Sequence, residues 1–177
     1  METLTKTKWA IDNTHSEVQF KVKHLVISTV TGQFNKFEGT LEAGDNFDGG
    51  VVNFSLDANS IDTNVADRDN HLKSAEFFDV ENYPNLTFSG ELKNTEDDEY
   101  TLSGDLTIKE TTKKVDLKVT YGGEMVDGYG QHKAGFEIEG KINRKELGLT
   151  WDMITEAGGV VVGDHVRLIL NVQLIKQ

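Results

Sequence analysis

The chain has 177 residues, with 30 acidic against 18 basic side chains for a formal charge of −12, and no cysteine. That length suits one domain with a sizeable core, expected over residues 1–177, while the negative charge repels phosphate backbones and argues against a nucleic-acid partner. Disulfides, thiolate metal sites and cysteine nucleophiles are excluded.

The amino end, "METLTKTKWAID", has no apolar signal core, and no stretch approaches the ~18 apolar residues of a membrane span. As it stands the chain is expected to be cytoplasmic; a signal removed ahead of Met1 would make it periplasmic. Next comes "EVQFKVKH", where Val18, Phe20, Val22 and His24 alternate with Gln19, Lys21 and Lys23. A period of two with one greasy face predicts a half-buried strand. Phe34, Phe37 and Leu41 are placed on one early strand, and Val52, Phe54, Leu56 and Ala58 on the next.

After a break, Leu86, Phe88, Gly90 and Leu92 resume the alternation, followed by Leu102, Leu106 and Ile108, then Val115, Leu117, Val119 and Tyr121. The clearest patterns close the chain: Ala134, Phe136, Ile138, Gly140 and Ile142, then Val166, Leu168, Leu170, Val172 and Leu174. About eight strands with polar outer faces predict an all-β fold, an antiparallel barrel first and a sandwich second. "EDDE" at 96–99 and "GGEMVDGYG" at 122–130 read as turns or exposed loops.

The break itself, "RDNHLKSAEFFDVENYPNLTF" from Arg68 to Phe88, predicts a short helical insertion around residues 64–78. Asn64 is placed as its cap with Asp67 at the third position, and Val65, Leu72 and Ala75 share one side. Tyr83 precedes Pro84 and is pushed toward an extended conformation, so the helix ends before it. Asp67, Asp69 and His71 stand at i, i+2 and i+4, which turns Asp69 away from the other two and suits a metal poorly. A closing role for Arg68 and Asp69, with His71 on the surface, fits better. His15 reads as a turn residue, His24 as a core histidine, and His132 and His165 carry no signal. No GxSxG, HExxH, phosphate-loop or dinucleotide fingerprint is present.

An ordered set of segments, "WAIDNTHSEVQFKVKH", "GQFNKFEGTL", "SIDT", "RDNHLKSAEFFDVENYPNLTF", "LSGDLTIKETTKKVDL", "AGFEIEGKINRKELGL" and "VGDHVRL", resembles the YceI-like, polyisoprenoid-binding, lipocalin-like family over nearly the whole chain. The resemblance implies an extended eight-stranded antiparallel barrel that binds a polyisoprenoid or isoprenoid quinone in an internal tunnel, without catalytic machinery, and it allows a homodimer. The family's "RD.HL..FFD" pattern falls on Arg68, Asp69, His71, Leu72, Phe77, Phe78 and Asp79 as a structural motif. One departure is "LTIKE", which puts Glu110 where the family's turn has glycine.

The residues supply a physical reason for such a ligand. Eight strands enclose room for one small molecule, and an inward face of Phe, Val, Leu and Ile would leave a sugar or nucleotide without hydrogen bonds. Phe20, Val22, His24, Phe37, Phe54, Phe88, Leu106, Phe136 and Leu170 are the expected tunnel lining. A non-enzymatic carrier is expected, with no cofactor or metal and an apolar lipid as partner. The alternatives are an enzyme using His24 or the Asp69/His71 pair at the barrel mouth, and a structural or stress-related protein with a filled barrel. Alternation alone does not separate a tunnel from a filled core.

Overall fold

The computed structural model describes residues 6–24, 27–44, 46–150 and 162–177. Among these residues the strands are β1 (Thr7–Ile11), β2 (Glu17–His24), β3 (Ser28–Phe34), β4 (Phe37–Ala43), β5 (Val51–Asp57), β6 (Ile61–Asp62), β7 (Asn85–Glu96), β8 (Glu99–Ile108), β9 (Thr111–Val126), β10 (His132–Asn143) and β11 (Val162–Lys176). One helix, α1 (Ala66–Lys73), lies between β6 and β7, and 3₁₀ turns follow β5 at Ala58–Ser60 and β10 at Arg144–Leu147.

Eight of the strands form a closed antiparallel ring in the order β1-β4-β5-β7-β8-β9-β10-β11, sealed where Trp9, Ala10 and Ile11 pair with Lys176, Ile175 and Leu174. This is the eight-stranded barrel that the alternation and the resemblance led us to expect. Along the edge away from β10 the long β11 serves two neighbours: its last residues pair with β1, and Val162–Asn171 pair with β2. β1 and β2 therefore lie end to end beside it, joined by a turn in which Asp12 accepts from the Thr14 amide and hydroxyl at 3.1 and 2.8 Å. From β2 the sheet continues through β3 to the short β6.

Phe34 and Phe37 do not share a strand: Phe34 ends β3 and Phe37 begins β4. Their odd spacing of three is the sequence trace of the turn at Asn35 and Lys36, which resets the alternation so that both rings face inward. The glycine-rich stretch after residue 121 is also not all loop. β9 runs through it to Val126, and the pairing steps from Gly135↔Gly123 to Phe136↔Tyr121, leaving Gly122 as the extra residue of a bulge. Gly123 has φ +114°, a conformation that a side chain would strain.

The helix is shorter than the insertion predicted over residues 64–78, and Asn64 does not cap it. Asn64 stands outside with φ +68° and donates its amide to Asp62 Oδ1 at 2.9 Å, while Val65 occupies the cap position without a side-chain bond. No residue of α1 is buried, and Val65 is 46% exposed. The apolar side expected from Val65, Leu72 and Ala75 therefore contributes little to the core. Phe77 and Phe78, in the turn after the helix, are buried instead.

Two apolar clusters fill the barrel. One gathers Trp9, Phe47, Tyr100, Val119, Phe136 and Leu174; the other gathers Phe34, Phe37, Ile61, Phe77, Phe78 and Leu147. Ile11, Phe54, Leu106, Val115, Leu168 and Leu170 are half-buried and pack against both.

Candidate functional site

Where the two clusters meet, a cavity of about 160 Å³ runs through the barrel, and its wall is apolar throughout. Gln19, Thr40 and Asn53 reach the wall without presenting polar surface to it. The lining extends from Leu102 to Ile108 on β8, from Phe136 to Ile142 on β10 and from Leu168 to Leu174 on β11. At ~3.3 Å per residue, each run covers roughly 20 Å of strand. The space is long and narrow, and apolar cavities of this size stay dry.

Aromatic rings stand at both ends. At one end Ile11, Leu102, Val119 and Phe136 are the last wall residues on β1, β8, β9 and β10, and Trp9, Tyr100, Tyr121 and Ala134, each two residues further along its strand, lie outside the wall. An aromatic floor gathers there: Phe47 is 5.6 Å from Trp9, 5.3 Å from Tyr121 and 5.1 Å from the wall residue Phe136, ring centre to ring centre. At the other end the wall stops at Phe34, Leu56, Leu86, Ile108 and Ile142, and Phe77 and Phe78 close over the core, with Phe78 edge-on to Phe34 at 6.0 Å.

Glycines on the inner face give the rings room. A Cβ on Gly32 would sit 2.2 Å from the Phe20 ring, and one on Gly104 would sit 2.8 Å from the ring of Phe88. Phe20 pairs directly with Gly32, and Phe88 stands two residues from Gly90, which pairs with Gly104. Both rings can therefore lie along the wall instead of across the bore.

Polar interactions brace the outside of each end. Near the floor, Lys133 on β10 bridges Asp12 at 3.1 Å and Asp127 at 3.4 Å. Burial works to raise the Asp12 carboxyl, but hydrogen bonds from Thr14, His15 and Lys133 outweigh it and hold the group well below the usual carboxylate range. Burial, aided by Glu124, pushes the Tyr121 phenol up to about 12. At the helical end, the β8–β9 turn holds the segment after α1: Lys109 Nζ donates to the Phe77 carbonyl at 2.7 Å, and the Tyr83 hydroxyl donates to Glu110 Oε1 at 2.6 Å. That bond raises the Tyr83 phenol. The left-handed residue of the turn is Lys109, at φ +56°, so Glu110 stands where a glycine's freedom is not needed.

A family profile, the YceI-like domain, matches residues 9–174. The chain belongs to the YceI-like family. It is 37% identical over 164 residues to the YceI protein of Salmonella newport, covering 92% of this chain and 83% of that one. It is 36% identical over 171 residues to a UPF0312 protein of Pectobacterium atrosepticum, covering 96% and 86%. Among solved structures, the Campylobacter jejuni YceI protein superposes with a TM-score of 0.73 at 28% identity, covering 100% of this chain and 99% of that one. A polyisoprenoid binding domain from Saccharophagus degradans shares the fold, with a TM-score of 0.72 at 16% identity over 99% of this chain and 100% of that one.

In this YceI-like chain six of the expected lining residues reach the cavity: Phe20, Phe54, Phe88, Leu106, Phe136 and Leu170. Phe37 does not; it is buried one layer toward the helical end and stacks on Phe54 at 6.2 Å. Val22 and His24 also lie outside the lining, because β2 runs on past Phe20 to pair with β3 and the start of β11. Alternation identifies the inward face of a strand but not how far along it the cavity reaches.

The YceI-like "RD.HL" segment works locally. Asp69 accepts from the buried Thr63 through its amide at 2.9 Å and its hydroxyl at 2.5 Å, while Arg68 donates to the Thr63 hydroxyl at 2.8 Å and its carbonyl at 2.6 Å. His71 pairs with Glu76 and lies edge-on to Phe77 at 5.2 Å. Among the described residues no three His, Asp or Glu side chains converge as a metal site.

Three participants escaped the sequence reading. Arg144 is only 3% exposed and donates to the carbonyls of Leu149, Gly163 and Val162 at 2.7, 2.8 and 3.2 Å. Its signal was available, since it follows Ile142 by two and so continues the inward face. His132 packs edge-on to Trp9 at 5.5 Å and pairs with Glu124 at 2.7 Å. Phe47 comes from a loop, where no periodicity marks it.

Proposed function

We propose that this YceI-like protein is a non-enzymatic carrier that holds a long apolar isoprenoid, a polyisoprenoid or an isoprenoid quinone, along the barrel axis. The observation that carries the reading is the wholly apolar wall extended over roughly 20 Å of strand. A sugar or nucleotide there would lose its hydrogen bonds to water and gain none. Each five-carbon unit moved into the bore gains about 4 kcal/mol before ordering costs, at ~0.8 kcal/mol per CH₂. That a structural neighbour is a polyisoprenoid binding domain supports the same class of ligand.

The free cavity, at about 160 Å³, is below the ~300 Å³ at which pockets for drug-sized ligands begin. Uptake therefore widens the bore, and the half-buried Phe20, Phe54, Leu106 and Leu170 are the side chains that turn, joined on the wall by Phe88 and Phe136. The chain enters at the helical end, where the closing rings sit on a turn and not on a barrel strand. The histidines support binding over chemistry: His15, His71 and His132 are engaged with Asp12, Glu76 and Glu124, and no histidine lines the cavity. Native mass spectrometry of the protein purified from cells, followed by solvent extraction, should return an apolar isoprenoid. Recovery of a polar metabolite in stoichiometric amount would contradict the carrier.

A further inference from the structure

We propose that Phe47 is the stop that sets how long an apolar chain the barrel accepts; the inference rests on the carrier reading above. The cavity wall ends at Ile11, Leu102, Val119 and Phe136 on β1, β8, β9 and β10, and the aromatic rings gathered there form the floor. Trp9, Tyr121 and Phe136 belong to strands of the ring, whose backbone is fixed by its pairing. Phe47 alone among these touching rings comes from a loop, the β4–β5 connection, and it touches all three of the others.

The loop is fastened so that this ring stays seated. Gly49 donates its amide to the Leu92 carbonyl at 2.7 Å, Gly50 donates to the Phe47 carbonyl at 3.0 Å, and Asp48 Oδ1 accepts from the Asn94 amide at 2.8 Å. Leu92 itself lines the cavity, so the anchor of the loop and the wall of the bore are the same stretch of β7. A side chain 6% exposed, centred in an aromatic floor and carried by an element outside the barrel, is placed to end the bore without holding the barrel together.

The test compares the wild type with Phe47→Ala and Phe47→Leu, titrated with a series of isoprenoid alcohols of increasing length, with melting curves to establish folding. In the wild type, affinity rises with length and then levels off. Phe47→Ala should move that plateau outward by about one isoprene unit, since the lost ring and one unit bury similar amounts of carbon. The first alcohol past the wild-type plateau should bind about tenfold tighter to the variant, and shorter ones equally to both. Phe47→Leu, which keeps an apolar group, should shift the plateau in the same direction by less, and carries the test should the alanine variant fail to fold. A plateau at the wild-type length in a folded variant, or a uniform loss at every length, overturns the stop while leaving the carrier intact. Absence of binding by wild type and variants alike overturns the carrier reading, and the stop with it.

Discussion

The two ends of this barrel are closed by aromatic rings in opposite ways. At the floor, Trp9, Tyr121 and Phe136 sit on β1, β9 and β10, and Phe47 fills the space between them with centroid distances of 5.1–5.6 Å. At the helical end, Phe77 and Phe78 sit in a turn behind a helix that buries none of its own residues. Their segment is held by backbone bonds within the turn, such as Phe78 to the Leu72 carbonyl, and by side chains that include Lys109 to the Phe77 carbonyl, Tyr83 to Glu110, and Arg68 and Asp69 to Thr63. The backbone under three of the four floor rings is tied into the sheet, whereas an end built wholly on a turn opens at the cost of local contacts. One barrel thus combines a floor tied to the sheet with an end tied to a turn.

The largest effect should come from the floor. Trp9→Ala removes a 4% exposed indole packed against Phe47 and His132, and denaturant melting should show a loss of about 3–5 kcal/mol. A variant that keeps its midpoint but exchanges ligand faster would reverse the roles assigned to the two ends.

The next concerns the brace beside the floor. The Asp12 carboxyl is depressed in the folded protein, so its contribution is present above the ordinary carboxylate range near ~4 and drains away as pH falls through the folded value. Asp12→Asn should cost about 1–3 kcal/mol at neutral pH and flatten the acid limb of the stability curve. Lys133 works on the opposite side: its raised ammonium adds stability that is complete below its ordinary value of ~10.5 and fades as pH climbs through the folded one. An acid limb identical in wild type and Asp12→Asn would remove the brace from the account.

Substitutions at the helical end should be milder and should act on exchange. Asp69→Asn weakens the two bonds from Thr63; the expected loss is about 1–2 kcal/mol, with faster amide exchange over residues 66–73 and retained ligand uptake. Loss of a measurable reaction at unchanged stability would instead point to catalysis. Smallest of all, Tyr83→Phe deletes one exposed bond to Glu110 and should be read in ligand off-rates. Should Asp69→Asn lower the melting midpoint as much as Trp9→Ala, the contrast between the ends would not stand.

Much of this contrast was legible in the sequence, though unevenly. Runs such as Ala134–Ile142 and Val166–Leu174 gave both the strands and their inward faces, because burying one face of a pleated sheet forces a period of two. The helix was visible as a break in that period, but its burial was not: the pattern favoured Val65, Leu72 and Ala75, while the core took Phe77 and Phe78 from the turn beyond. Cavity ends were illegible for a related reason. Val22 and His24 share a face with Phe20, yet only Phe20 reaches the bore, since depth along a strand depends on where neighbouring strands pair. Phe47 lies between Asn46 and Asp48 in a loop, and nothing local says that its ring turns inward.

The central claim, that an apolar bore takes up an apolar chain through one end, is tested most directly by calorimetric titration of the wild type with isoprenoid alcohols of increasing length and one isoprenoid diphosphate, at low and high salt. Burial of apolar surface makes affinity rise with length to a plateau and leaves it nearly independent of salt. With a charge of −12, the diphosphate should bind no better than the alcohol of the same length. Affinity that is flat across lengths, or a diphosphate that binds strongly and is released by salt, would contradict the bore and place recognition at a headgroup site on the surface.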